Sequence, residues 1–295
     1  MMTIEAFKDY LEAELNYSAR TVGEYYNDLQ DFERFFNSLD TDMTWESVDA
    51  DVVRSWVEQM MDRGNRPTSV RRRLSAVRSF YKYGMKRGLV DRDPAHAVVG
   101  PKKTKPLPQF VREKDMARLL DDVEWDYNNY KDVRARTLLL LFYETGLRVS
   151  ELVSLNDETI DTINMQLKVT GKRNKQRIVP FGNELLTALR QYMQLRDATV
   201  ARKESGLFLT ERGRRMSVEQ VRTVVREKLG LVTTMKKRSP HVLRHSFATA
   251  MLNNGAGLES VKQLLGHERL TTTEIYTHTT FEQLKKVYQE AHPRG

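Results

Sequence analysis

Apolar residues recur at helical spacing through the first third of the chain. Ile4, Phe7, Tyr10, Leu11 and Leu15 share one face of a first helix. A second opens at an N-cap-like Ser18 and carries Val22, Tyr25, Tyr26, Leu29, Phe32, Phe35, Phe36 and Leu39. A third spans about 49–61. A fourth runs from Pro67 and Thr68 to Arg87, where Gly88 closes it. The period is lost between Asp93 and Pro108, a stretch with four prolines that reads as an extended, basic linker.

Beyond it the pattern is mixed. Helices are predicted at 113–122, 131–145, 183–200, 217–228, 241–254, 259–265 and 281–291. Between them, 159–161, 166–170 and 176–180 alternate or are β-branched, with turn-forming Asn164 and Gly171 between the runs. They predict a small antiparallel sheet with a polar loop, 171–175, at its tip. The expected fold class is mainly α with a small antiparallel β-sheet. It divides into an N-terminal four-helix domain at 1–100, a basic Pro-rich linker at 101–112 and an α+β domain at 113–295.

Composition narrows the class. A chain of 295 residues exceeds the usual single core, in keeping with two domains. With no cysteine, disulfide frameworks, thiolate zinc sites, iron–sulfur clusters and cysteine nucleophiles are excluded together. The longest apolar runs, such as 138–142, are too short to span a bilayer, and the N-terminus carries no signal-peptide pattern. A cytoplasmic protein with no membrane partner is expected.

The net charge of +8 hides an asymmetry. Residues 1–61 carry four basic against fourteen acidic side chains, whereas 62–92 carry ten basic against two acidic. Helical spacing sets Arg71, Arg78, Lys82 and Lys86 along one side of the fourth helix, with Leu74, Val77, Tyr81 and Met85 on another. A solvated face is the plain reading of such a helix; the imbalance favours phosphate contact. Arg71, Arg72, Arg73, Arg78 and Lys82, with Lys102 and Lys103 of the linker, are therefore the DNA-binding candidates.

Four of the six histidines, His241, His245, His267 and His278, fall between 241 and 278. Ser239 and Pro240 mark a helix start, and His241 and Arg244 share a face three residues apart. His241 and His245 have metal-ligand spacing, but no acidic residue accompanies them, so an anion site is the more economical reading. Arg148 lies beside Gly146, which permits a sharp turn, and Glu151 stands where it can orient the guanidinium. Lys172 sits on the hairpin loop. Leu264-Leu265-Gly266-His267 is followed, after eight residues, by Tyr276.

In order and in spacing, Thr145-Gly146-Leu147-Arg148-Val149-Ser150-Glu151-Leu152, Gly171-Lys172, His241-Val242-Leu243-Arg244-His245, Leu264–His267 and Tyr276 resemble the full signature of the tyrosine recombinases (the phage-integrase family). The N-terminal helices resemble that family's SAM-like core-binding domain, so the likeness covers nearly the whole chain. Length and opening helices are most similar to the Xer-type recombinases.

The resemblance implies that Arg148 and Arg244 bind the scissile phosphate, where bidentate guanidinium groups suit non-bridging oxygens best. His241 and His267 would add hydrogen bonds, with His241 also moving protons. Tyr276 would be the nucleophile, forming a 3′-phosphotyrosyl link and freeing a 5′-hydroxyl. A tyrosine of pKa about 10 needs surrounding cations or a base for that role. Lys172 would protonate the leaving oxygen, although Arg173 and Lys175 flank it. Glu151 would support Arg148, and His245 and His278 would be structural.

No cofactor, metal or ATP is implied. The implied partners are a double-stranded DNA recombination site, a homo- or hetero-tetramer, a second Xer recombinase and an FtsK-type translocase. The stripe of Phe281, Leu284, Val287, Tyr288 and Ala291 has packing on its own domain as its plain reading, whereas the resemblance implies that 281–291 docks in trans. The implied role is resolution of chromosome or plasmid dimers at cell division through a Holliday junction, at the nucleoid. A mobile-element integrase shares this chemistry and differs in its target. A non-catalytic DNA-binding regulator is disfavoured by the intact catalytic set. A metal-dependent nuclease is disfavoured by the lack of a tight carboxylate group.

Overall fold

The computed structural model describes residues 1–102, 109–171, 175–266 and 278–295, the last segment with side chains from Phe281 onward. Two compact units result, Met1–Pro106 and Leu107–Gly295.

The first unit is built from α1 (Ile4–Asp9), α2 (Ala19–Leu39), α3 (Ala50–Asp62) and α4 (Pro67–Lys86). Local chemistry sets where they start. Thr3 and Ser18 accept from the backbone N–H groups of Ala6 and Thr21, and Asp49 caps both Asp51 and Val52. Pro67 opens α4, where its missing N–H costs nothing. A π-helical turn, Tyr10–Glu14, continues α1. The apolar faces close on an aromatic core, with Phe32 4.7 Å from Trp56 and Trp45 4.5 Å from Phe80.

Two expectations for this unit are corrected. The segment from Asp93 is not yet linker: Ala95 and Val98 are buried in the core. Its carbonyls have no strand or helix partner, so arginines of α4 satisfy them. Arg78 donates to Ala95 and Val98, and Arg71 to Gly100 and Pro101. Met85, expected on the apolar side of α4, is 45% exposed, whereas its neighbours Tyr83 and Gly84 are buried, with Met2 and Val90 packed against Gly84.

In the second unit, α5 (Glu113–Ala117) runs into a π-helical turn, Arg118–Asp122. Then come α6 (Tyr130–Thr145), α7 (Val149–Ser154), β1 (Ile160–Asp161), β2 (Gln166–Thr170), β3 (Gln176–Pro180), α8 (Asn183–Thr199), α9 (Val218–Leu229), α10 (Pro240–Asn253), α11 (Leu258–Leu265) and α12 (His278–Ala291). The expected 113–122 helix is thus divided, and α7 adds an element that the sequence pattern did not predict. At six residues it is too short to show a period.

The strands form one antiparallel sheet in the order β1-β2-β3, with Leu167 opposite both Ile160 and Val179. Residues 138–142 of α6 are fully buried on every face, which explains why that run shows no amphipathic stripe. A second cluster joins Phe247 and Met251 of α10, Val261, Leu264 and Leu265 of α11, and Leu284, Tyr288 and Ala291 of α12. Of the C-terminal stripe, Leu284, Tyr288 and Ala291 are buried within their own unit, in keeping with its plain reading, and Phe281 and Val287 are half-buried.

Among the described residues, no helix is long and apolar enough to cross a membrane.

Candidate active site

The site begins where α6 stops. Gly146 takes φ +59° and closes the helix by donating to the Phe142 carbonyl at 2.9 Å. A Cβ there would lie 2.6 Å from Phe247 and 2.7 Å from Leu265, so space as well as backbone conformation requires glycine. The turn delivers Arg148 to the N-cap of α7. Glu151 then accepts from the Arg148 backbone N–H at 2.7 Å and from its Nη1 at 2.8 Å. One carboxylate thus caps the helix and aims the guanidinium.

Arg244 projects from the first turns of α10, only 9% exposed, and donates to the carbonyls of Gly146 and Leu265, each at 2.7 Å. Arg148 donates to Gly266 at 3.1 Å. A third arginine, which stands outside the sequence motifs, completes the arrangement. Arg177 of β3 donates to both oxygens of Glu151, at 2.8 and 2.9 Å, and through Nε to the Leu264 carbonyl at 3.1 Å. Three successive carbonyls at the C-terminus of α11 are therefore held by three arginines. Such carbonyls have no intrahelical donor and carry the negative end of the helix dipole. The signal for Arg177 was its strand parity with buried Val179.

The charges do not balance locally. Arg148, Arg177 and Arg244 face a single carboxylate, Glu151. Burial pulls the Arg244 pKa down to about 10, with Arg148 repelling it further, Glu151 opposing and Arg177 adding to the repulsion. Burial would raise Glu151, but hydrogen bonds and charge from Arg177, and then Arg148, hold it below the usual carboxylate range. His241, at the start of α10, is lowered by loss of water around its ring and by Lys237, Arg244, Arg222 and Arg148, and is neutral at pH 7. Three guanidinium groups against one carboxylate leave a surplus of two positive charges.

Ser239 precedes α10 as expected but makes no side-chain cap bond. His245 stands edge-on to Phe110 as a packing group. Lys103, Lys172, Arg173, His267 and Tyr276 lie outside the described residues, as does the His278 side chain. Their described neighbours carry information: a Cβ on Gly171, next to Lys172, would lie 3.5 Å from Glu151, and Gly266 is bound by Arg148. Among the described residues, no group of three His, Asp or Glu is arranged to hold a metal.

The phage integrase family matches residues 109–283, and the phage integrase N-terminal SAM-like domain matches 4–88. The chain belongs to the phage integrase family of tyrosine recombinases. Similar relatives are the tyrosine recombinases XerC of Chlorobaculum tepidum, 36% identical over 98% of this chain and 94% of the relative, and of Pelotomaculum thermopropionicum, 38% identical over 99% and 98%. XerC of Mycobacterium sp. (strain KMS) is 39% identical over 99% of both chains. The fold is that of XerH bound to palindromic difH, with a TM-score of 0.72 and 19% identity over 96% of this chain and 83% of that one. The Tn1549 transposon integrase in complex with transposon right-end DNA also gives 0.72, with 16% identity over 97% and 99%.

This chain is accordingly a site-specific tyrosine recombinase, a DNA-binding enzyme of DNA recombination. In this recombinase the basic residues of α4 have unequal duties. Arg72 pairs with Asp28, including a 3.0 Å bond from Nη2, and Arg73 donates to Asp31 at 2.9 Å. With Arg71 and Arg78 committed to backbone carbonyls, four of the DNA-binding candidates have internal partners. Lys82 and Lys102 are exposed. A polar cavity of about 310 Å³ remains open between Thr68, Arg71, Arg72, Ser75, Arg78 and Gly100.

Proposed function

We propose that this recombinase cuts and rejoins DNA through a 3′-phosphotyrosyl intermediate on Tyr276 and a Holliday junction, resolving chromosome or plasmid dimers. The observation that carries the reading is the convergence of Arg148 and Arg244 on the turn just before His267, in a pocket with surplus positive charge. Two guanidinium groups in that setting suit a phosphodiester whose non-bridging oxygens gain charge in the transition state. Attack by the Tyr276 oxygen on phosphorus forms the tyrosyl ester as the bond to the 5′ oxygen breaks. Lys172 donates the proton that the departing 5′-hydroxyl needs. His241, neutral at pH 7, accepts the tyrosine proton, and His267 adds a hydrogen bond to the phosphate. Another strand's 5′-hydroxyl reverses the step, so the bond energy is conserved without ATP.

Domain 1–100 would grip the duplex, connected through 101–112 to the catalytic domain 113–295, in a tetramer on two DNA sites. Nearly full-length similarity to XerC proteins supports dimer resolution, and with it a second Xer recombinase and an FtsK-type translocase as partners at the nucleoid.

The test uses nicked recombination-site DNA in EDTA, resolved on a denaturing gel. A covalent adduct is expected with the native chain and none with Tyr276→Phe. An adduct that survives the substitution, or cleavage that needs a metal, would overturn the mechanism.

A further inference from the structure

We propose that Arg177 is a positioning residue for strand cleavage: it fixes Glu151, and through it Arg148, while anchoring the Leu264 carbonyl on the turn that leads to His267. This rests on the reading of Arg148 and Arg244 as the phosphate-binding pair.

The first support is the placement of Arg177 on β3. It takes an inward position, 8% exposed, while Ile178 beside it is 44% exposed. The parity that buries Val179 also turns Arg177 inward, where a guanidinium is costly unless fully bonded. Here all three nitrogens are bonded, two to Glu151 and one to Leu264. The side chain is closed over by Gly266, where a Cβ would lie 3.1 Å from its Cδ. Arg177 is thus engaged by protein groups and acts through them.

The second support is the bonding of Glu151. Its Oε1 accepts from both Arg148 Nη1 and Arg177 Nη1, and its Oε2 from the Arg148 backbone and Arg177 Nη2. Four donors leave the carboxylate no freedom to rotate. Without Arg177, Glu151 would be a full counter-charge to Arg148 alone and would compete with the phosphate for it. With Arg177 present, the negative charge is shared and Arg148 keeps positive potential for an anion. The same side chain ties β3, whose hairpin loop carries Lys172, to the end of α11.

The test compares full-length Arg177→Gln, Arg177→Lys and the double variant Glu151→Gln/Arg177→Gln with the native chain. Affinity for site DNA and the single-turnover rate of covalent adduct formation are measured on each. Arg177→Gln should bind DNA within about twofold of native, yet form adduct about 100-fold more slowly, as expected when a catalytic group is displaced by a fraction of its reach. Arg177→Lys restores charge without the fork and should recover about tenfold of that loss. The double variant also removes the buried carboxylate charge that Arg177→Gln leaves with Arg148 as its one remaining cation, so it should fold even where Arg177→Gln does not, and should remain slow.

Native adduct formation matched by Arg177→Gln would overturn this inference and leave the reading of the site intact. Equal losses in affinity and rate, or failure of all three variants to fold, would mark Arg177 as purely structural and also overturn it. A native chain that forms no adduct would instead overturn the reading on which it rests.

Discussion

The three arginines at the end of α11 are not interchangeable with lysines. Arg148 and Arg244 each span two acceptors from a planar fork, and an ammonium offers only a point charge. Arg148→Lys and Arg244→Lys are therefore expected to slow adduct formation by about 100-fold or more while DNA binding changes little. Rates within threefold of native would remove either residue from its assigned role. Gly146 is under a different constraint. Alanine there must hold φ +59° and displace Phe247 and Leu265. Gly146→Ala should lower stability by about 3 kcal/mol, from backbone strain plus overpacking, read as a fall in the urea midpoint. Arg148, Arg244 and Gly146 were legible in the sequence because each stands in a contiguous motif. Arg177 was not, because its meaning depends on what lies across the sheet.

At the scale of elements, α12 shows how two buried groups can hide each other. Tyr288 donates to Glu144 at 3.0 Å, and the neutral His292 ring lies 3.1 Å from the Tyr143 carbonyl and stacks on Tyr288 and Phe247. Burial raises Glu144 to about 7 and lowers His292 to about 4. The Glu144 contribution is complete below the ordinary carboxylate range and lost as pH rises through about 7. The His292 contribution is complete above the ordinary histidine range and lost as pH falls through about 4. Between roughly pH 4.5 and 6.5 the folded chain holds its proton on Glu144 and the unfolded chain on His292, so the two slopes cancel. Removing the histidine should expose the other. The stability of His292→Phe relative to native is expected to grow by about 1.4 kcal/mol per pH unit as pH falls across that window. A gap constant with pH in urea titrations would contradict the pairing. The stripe on α12 was visible as periodicity, but its cover was not, since any apolar face could have received it.

For the molecule as a whole, net charge proved a poor guide to the surface. Arg196 is wholly buried against Asp157 and Asp197, and Arg72 is occupied by Asp28. Arg72→Ala would leave the buried Asp28 carboxylate with only the longer 3.8 Å contact to Arg73 and should cost about 1–3 kcal/mol of stability. Lys82→Ala with Lys102→Ala should leave the melting temperature unchanged and weaken DNA binding with a shallower salt dependence. The reverse pattern would assign Arg72 to DNA and the lysines to the fold. The sequence by itself determined the longer helices, the three-stranded sheet and the ordered motifs, though not α7, because periodicity and local turn chemistry act within a few residues. It also determined the family, since the spacing of those motifs is written along the chain. Only the tertiary structure decided which arginines are satisfied internally, where 93–101 packs, and that α11 ends on three guanidinium groups from three separate elements. Hydrogen bonds between residues 87 to 118 apart leave no periodic trace, because each depends on where the intervening chain has folded.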